Sequence, residues 1–167
     1  MVNKGGSVRE STKVIKEMGL KMGAEVGVNV GTNAKNMLDS IPDLHLILID
    51  NCSTMYLIAR DNLKAYENRI VQMLRSSSDV GDIQDESLDF AYIDACHTYE
   101  AVKVDLEVWL PKIRKGGLLC GHDYNLRGEH YDNVYQAVNE FAEKHNFKVN
   151  FKRNEDDETN EDWWICL

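Results

Sequence analysis

Short apolar runs alternate with longer amphipathic stretches along this chain. The runs at residues 24–30 (AEVGVNV), 44–50 (LHLILID), 69–74 (RIVQML), 88–94 (LDFAYID) and 118–122 (LLCGH) are continuous enough to be strands covered on both faces. Between them the apolar period lengthens to that of a helix. In residues 11–22, Val14, Ile15 and Met18 share one helical face before Gly19 loosens it. Across residues 98–115, Val102, Leu106, Trp109, Leu110 and Ile113 recur at i, i+4, i+7, i+8 and i+11, so a single stripe faces the sheet. Thr98 suits the start of that helix, Lys112, Arg114 and Lys115 suit the negative end of its macrodipole, and the Gly116 and Gly117 pair stops it. Val134, Val138, Phe141 and Ala142 mark a further helix with Asp132 at its start. Residues 147–152 and 163–167 read as two antiparallel strands closing the sheet. The alternation predicts an α/β fold with a mostly parallel seven-stranded sheet, helices on both faces and an antiparallel C-terminal strand.

The same periodicity sorts side chains into core and surface. Trp109 falls on the buried stripe, and Trp163 and Trp164, as strand neighbours, face opposite sides. Asp105 and Glu107 read as a solvated helix face, and the acidic residues 155–158 with Glu161 and Asp162 as a solvated loop between the last two strands. Cys52, Cys96, Cys120 and Cys166 are far apart, and three lie in or beside apolar strand patterns, which predicts buried, reduced thiols.

Composition narrows the class. A chain of 167 residues, 43% hydrophobic and 28% charged, is expected to form one domain over residues 1–167, with 1–23 as an N-terminal helical segment and no separate cap. No apolar run nears the roughly 20 residues of a membrane span, and the first residues lack a signal peptide's apolar heart, so the expected location is the cytoplasm. A net charge of -9 without any Lys/Arg stripe argues against nucleic acid as partner.

Candidate chemistry sits where strands end. Asp94 and Asp123 each close an apolar run, His97 stands three residues past Asp94, and His122 adjoins Asp123. Ligands of open α/β sheets gather at that carboxyl edge, so four metal-competent side chains converge there if the two strands are neighbours. The earlier turn, Glu25 to Gly31 (EVGVNVG), has Gly27 and Gly31 for a sharp exit from the strand, and Asp50 lies nineteen residues past Gly31. A glycine turn followed by an acidic strand end is the pattern of a nucleoside cofactor whose ribose hydroxyls are bound by the carboxylate. Glu25 would oppose a pyrophosphate but favour the sulfonium and ammonium of S-adenosylmethionine.

From residue 24 onward the chain resembles class I S-adenosylmethionine-dependent methyltransferases, with EVGVNVG in the place of their first motif and Asp50 in their ribose-binding position. The run YIDACHTYEAVKVDLEVWLPKIRKGGLLCGHDY is similar to a subfamily in which one strand ends in I-D-x-x-H-x-Y and the next in G-H-D-Y. That subfamily is similar to macrolide-sugar O-methyltransferases and cephalosporin-hydroxylase-like proteins. The resemblance implies a Rossmann-like fold, a divalent metal on Asp94, and His97 as base. It implies adenosine contacts from Asn51, Ser77 and Ser78, and cofactor contacts from Glu25, Gly27, Gly31, Asp50 and Asp94. Where those relatives supply two carboxylates after the fifth strand, this chain has His122 and Asp123. The implied metal set is then Asp94, His122 and Asp123 for magnesium or manganese, and an imidazole there either weakens the site, shifts it toward manganese or zinc-like ions, or leaves His122 outside the ligand shell.

Methyl transfer from a sulfonium needs a deprotonated oxygen held in line with the methyl carbon. Metal coordination would acidify a substrate hydroxyl and His97 would take its proton, with Tyr99 or Tyr124 lining the acceptor pocket. The expected acceptor is a small molecule or sugar. Because residues 1–23 leave little to cover it, either a second subunit in a homo-oligomer or a large, exposed acceptor such as a glycan is expected. Two other readings stay open: a non-catalytic relative that keeps the cofactor pocket, with Asp94 and His97 serving only the following helix, and a nicotinamide-dependent oxidoreductase on a similar sheet.

Overall fold

The computed structural model describes residues 8–124, 132–154 and 157–167. In chain order the elements are α1 (Glu10–Glu17), β1 (Met22–Val26), α2 (Thr32–Ser40), β2 (His45–Asp50), α3 (Ser53–Asn62), β3 (Ile70–Leu74), β4 (Leu88–Ile93), α4 (Tyr99–Trp109), β5 (Ile113–Gly121), α5 (Asp132–His145), β6 (Asn150–Asn154) and β7 (Asp157–Cys166). The strands form one seven-stranded sheet in the order β3-β2-β1-β4-β5-β7-β6. Strands β1 to β5 run parallel, and β7 pairs antiparallel with both β5 and β6. The expected architecture is therefore the one observed.

Side chains of the inner strands alternate between two cores. Leu46 and Leu48 of β2, Phe90 and Tyr92 of β4, and Leu118 and Cys120 of β5 pack with Ile15, Met37, Leu38 and Leu63 from the face that carries α1, α2 and α3. Ile47, Ile49, Ala91, Ile93 and Leu119 pack on the opposite face against Leu106 and Trp109 of α4 and Val138 and Phe141 of α5. A period of two with both faces covered explains why these strands read as unbroken apolar runs. Trp163 joins the α4 and α5 core while Trp164 packs against the other, as strand alternation requires.

Several local expectations are corrected. The helix over 98–115 is shorter: α4 stops at Trp109, and Leu110–Lys112 tightens into a 3-10 turn at Pro111, whose missing N–H cannot continue the ladder. Ile113 fits the helical period but already belongs to β5, where it is buried. Gly116, at φ +76, instead forms part of an irregularity between β4 and β5. β1 ends at Val26 rather than residue 30, because Gly27, Asn29 and Gly31 all take positive φ. The acidic residues Glu161 and Asp162 are buried in β7, not in a solvated loop, and Asp105 of α4 is 2% exposed. Of the cysteines only Cys120 is buried; Cys52, Cys96 and Cys166 are exposed, and all four are free thiols.

Trp109 ties the core to the crevice. Its ring is fully buried, and its indole N–H donates to the Ser77 carbonyl at 2.9 Å. Trp109→Ala should cost about 3–5 kcal/mol of unfolding free energy. Trp109→Phe, which keeps a ring but strands the Ser77 acceptor, should cost about 1–3 kcal/mol. Urea unfolding of the two variants checks both the order and the size.

Candidate active site

The strand order reverses between β1 and β4, and at the carboxyl ends of these strands a cavity of about 600 Å³ opens. It is lined by the turn after β1 (Gly27 to Val30, then Thr32 and Asn33), by Asp50 and Asn51 after β2, by Met55 and Ser77, by Asp94 to His97 after β4, and by Glu25 and Arg9. A Cβ at Gly27 would lie 2.1 Å from the Asp94 carbonyl oxygen, so the glycine lets β1 and β4 meet. Gly31 is buried against Leu63 at the start of α2 and does not line the cavity; its place is in the turn.

Asp50 closes β2 and organises that turn. Its Oδ2 accepts the N–H groups of Val28 (3.1 Å) and Asn29 (2.8 Å), and its Oδ1 accepts that of Cys52 (2.8 Å). A carboxylate offers about four acceptor positions, so in this conformation one is left for a ribose hydroxyl rather than a pair. Ser77 lines the cavity and Ser78 does not. The Ser77 segment is held from below by α4, through the Trp109 indole.

Glu25 is 1% exposed. Its Oε1 accepts from the Asn33 side-chain amide at 2.9 Å, while Oε2 and the Asn33 Oδ1 are buried without partners among the described residues. Burial pushes the Glu25 carboxyl up to about 8, against smaller opposing effects of Asn33 and Arg9. The sequence reading treats Glu25 as an anion; burial keeps it protonated at neutral pH.

Near Glu25, the side chains of Asp94, His97 and Asp123 form a cluster whose nearest ligand atoms all lie within 4.8 Å of one another. His97 Nε2 is 3.3 Å from Asp94 Oδ1 and 3.2 Å from Asp123 Oδ2. Its hydrogen bond to Asp94 outweighs burial, and with the Asp123 charge it raises the imidazole above its ordinary value. Burial alone would push Asp94 up, but His97 and Arg9 outweigh it and hold the carboxyl below the usual range. Asp123 reaches this position through a left-handed backbone at φ +59, which turns the chain sharply off β5. His122 lies beside the cluster rather than in it. Its Nδ1 is 2.8 Å from Asp123 Oδ1 and its Nε2 is 3.8 Å from the buried Asp162, so β7 rather than the cavity claims its far side.

Sequence reasoning missed Arg9, Asn33, Asp105 and Asp162. Arg9 stands immediately before α1, and its Nη1 donates to Asp94 Oδ2 at 2.8 Å and to the Tyr92 hydroxyl, with the guanidinium 5.5 Å from the Tyr92 ring centre. A cation at a helix N-terminus opposes the macrodipole, and that local mismatch was the available signal of tertiary use. Asp162 accepts the N–H and hydroxyl of Ser11 and so fastens α1 to β7. Neither Tyr99 nor Tyr124 lines the cavity: Tyr99 bonds Glu140, and Tyr124, 2% exposed, bonds Asn139. Residues 125–131 lie outside the described residues.

A mostly parallel sheet in this order, with an antiparallel C-terminal strand and an acidic crevice at its switch point, is the Rossmann-like fold of class I methyltransferases. The chain belongs to the methyltransferase-domain family, whose pattern it matches over residues 24–124. It aligns with a protein assigned as a caffeoyl-CoA O-methyltransferase from Staphylococcus aureus at a TM-score of 0.76, with 19% identity, over 94% of this chain and 81% of that one. An O-methyltransferase from Bacillus cereus, solved in complex with S-adenosylhomocysteine, aligns at 0.74 with 15% identity over 93% and 78%. A methyltransferase from Podospora anserina, also bound to S-adenosylhomocysteine, aligns at 0.71 with 14% identity over 93% and 75%. A stretch of 61 residues is 39% identical to an uncharacterized protein of Sinorhizobium fredii; it covers 36% of this chain and 7% of that protein's length. Among the described residues no helix is long and apolar enough to cross a membrane.

The state of Glu25 is testable through stability. Folded, it holds its proton to about pH 8, against 4.5 for an unperturbed carboxyl. The unfolded chain binds fewer protons across that window, so stability falls as pH rises through it, by up to about 1.4 kcal/mol per unit. Urea midpoints at about pH 5.5 and about pH 7.5 should therefore show a larger loss for the native chain than for Glu25→Gln. Equal losses would remove Glu25 as the source.

Proposed function

We propose that this protein is an S-adenosylmethionine-dependent O-methyltransferase in which His97 takes the proton from a hydroxyl of a small molecule or sugar. The observation that carries this reading is the His97 imidazole, held between two carboxylates at one end of the cavity. The buried, unpartnered Oε2 of Glu25 and the remaining acceptor position of Asp50 fit a ligand that is cationic at one end and a nucleoside at the other. When bound, S-adenosylmethionine supplies an electrophilic methyl group on a sulfonium. Asp50 accepts a ribose hydroxyl, Asn51 and Ser77 border the adenosine, and Glu25 ionises opposite the positive charge. Asp94 and Asp123 orient His97 and raise its basicity, so that the acceptor oxygen is deprotonated where it must attack. A pyrophosphate cofactor would meet Glu25 and Asp94 without a compensating cluster of cations, which disfavours a nicotinamide enzyme. The fold shared with an O-methyltransferase and with a further methyltransferase, both bound to S-adenosylhomocysteine, supports the same conclusion.

A second reading is favoured by the donor set. Asp94, His97 and Asp123 would hold a divalent ion, with His122 behind Asp123 to orient it, and that ion would acidify a coordinated hydroxyl. Two carboxylates and an imidazole suit manganese better than magnesium. In this reading His97 is a ligand rather than the base.

Calorimetry should show S-adenosylhomocysteine binding to the chain and no binding of NADH. Asp50→Ala should weaken S-adenosylhomocysteine by about tenfold to a hundredfold. His97→Ala should leave that affinity within about threefold and lower methyl transfer to the best acceptor of a hydroxyl library by about 10²–10⁴-fold. Loss of transfer on chelation, restored by manganese, selects the metal reading; indifference to chelator selects the base. Cofactor binding with no transfer to any acceptor would sink the enzymatic reading.

A further inference from the structure

The sheet has two open edges, and they are not alike. Among the described residues, β3 and β6 each pair on one side only. β6 (Asn150–Asn154) carries Lys152 and Arg153, the kind of charge that keeps an edge from pairing with another chain. β3 (Ile70–Leu74, IVQML) carries neither charge nor proline. Its Val71 and Leu74 are 54% and 49% exposed. Helix α3 lies against it, with the Gln72 side-chain amide donating to the Tyr56 carbonyl at 3.1 Å. A cavity of about 480 Å³ opens between the two, lined by Tyr56 of α3 and by Ile70 and Gln72 of β3. The cations Arg60 and Lys64 and the anions Asp61 and Glu67 around it balance, so this edge is locally neutral on a chain of net charge -9.

The backbone of β3 decides what can cover it. The Arg75 N–H donates to the Asp50 carbonyl at 3.0 Å, so Val71, Met73 and Arg75 turn their N–H and C=O groups toward β2. Ile70, Gln72 and Leu74 turn theirs outward. The strand's order, two apolar residues, one polar and two apolar, reads the same in both directions. We propose that this edge is the interface of a twofold homodimer, in which the β3 strands of two copies pair antiparallel about Gln72. Gln72 then faces Gln72, Ile70 faces Leu74 and Val71 faces Met73. In that register the outward residues all fall in hydrogen-bonded pairs, so every free N–H and C=O of the strand gains a partner. Directly opposed residues share a face, which puts the exposed Leu74 of one copy beside Ile70 at the cavity of the other. Arg69 and Arg75 would oppose each other at the ends, but each is already engaged: Arg69 by the Leu38, Ile41 and Pro42 carbonyls, Arg75 by Asp82 at 2.6 Å. The interface stands independently of the cofactor reading.

Sedimentation equilibrium on the full chain should show a dimer at micromolar concentration. Val71→Lys and Leu74→Lys, both at exposed positions, should each raise its dissociation constant by about tenfold to a hundredfold. Gln72→Pro removes an N–H that points away from β2, so it should break the dimer and spare the sheet, with folding checked by circular dichroism. If that variant does not fold, the two Lys variants are read alone. Phe151→Lys, on the other edge strand, should leave the dimer intact. With Cys52, Cys96 and Cys166 replaced by Ser, Gln72→Cys should link two chains on air oxidation, because the Cα atoms of a hydrogen-bonded pair lie about 5.5 Å apart, within disulfide reach. Val71→Cys, offset from its own copy, should not. A monomeric native chain would overturn the proposal. So would a dimer that dissociates with Phe151→Lys but not with Leu74→Lys, or one that crosslinks through Val71→Cys and not through Gln72→Cys.

Discussion

The carboxyl ends of β1 and β4 can meet only because residue 27 has no side chain. A Cβ there would sit 2.1 Å from the Asp94 carbonyl oxygen and 2.6 Å from the Ala95 Cα, distances at which backbone would have to move. With glycine in place, Asp94 N–H donates to Val26 and Gly27 N–H donates to Ile49, both at 2.8 Å, so β4, β1 and β2 stay laced together up to the point where they stop. The cavity floor, the Asp50 carboxylate and the Asp94 carboxylate all take their positions from that junction. A parallel sheet splays its chain to opposite sides at such a switch point, and the space left between is where a ligand fits.

Electrostatics dictate what surrounds the junction. Glu25, Asp94, Asp123 and Asp162 are carboxyls at or near the sheet edge, and so much negative charge in low dielectric would not persist uncompensated. The chain interleaves it with cations and donors: Arg9 on Asp94, His97 between Asp94 and Asp123, His122 beside Asp123 toward Asp162, and Ser11 on Asp162. Glu25, hydrogen-bonded only through the neutral Asn33 amide on Oε1 and with Oε2 unpartnered among the described residues, keeps its proton instead. Arg9 and Ser11 come from the start of the described chain and Asp162 from β7, so the two extremes of the sequence complete a network whose centre lies between β4 and β5. The pairing of Ser11 with Asp162 spans 151 residues.

The opposite face contributes support rather than chemistry. Trp109 of α4 holds Ser77 through its indole N–H, with Asp105 one turn away beneath the same segment, so the segment after β3 reaches the cavity as part of the core. Burying Asp105 raises its carboxyl, with the Ser77 hydroxyl offsetting part of that cost. A residue that the helical period assigns to a solvated face is thus buried because the chain after β3 folds over it. The irregularity between β4 and β5, with Gly116 at positive φ, lets β5 begin directly after the turn at Leu110–Lys112 and still bring Gly121 level with Ile93, which sets Asp123 opposite His97.

By itself the sequence determined the periodic features: five apolar runs that had to be two-faced strands, the helices between them, Trp109 in the core, and Trp163 and Trp164 on opposite sides. It also determined that Asp50, Asp94 and Asp123 stand at strand ends, because strand length and residue order are local properties. Local pattern could not decide which helix stops where a proline intervenes, nor that Asp105 and Asp162 are buried, because burial depends on what packs over a residue from elsewhere in the chain. Tertiary structure alone decided that His122 turns toward Asp162 while His97 bridges Asp94 and Asp123, since a side chain follows the partners that its neighbouring strands present. It alone brought Arg9 to the cavity and made Glu25 a proton holder. Charge interactions act through space, and distances across the fold are set by packing rather than by position in the chain.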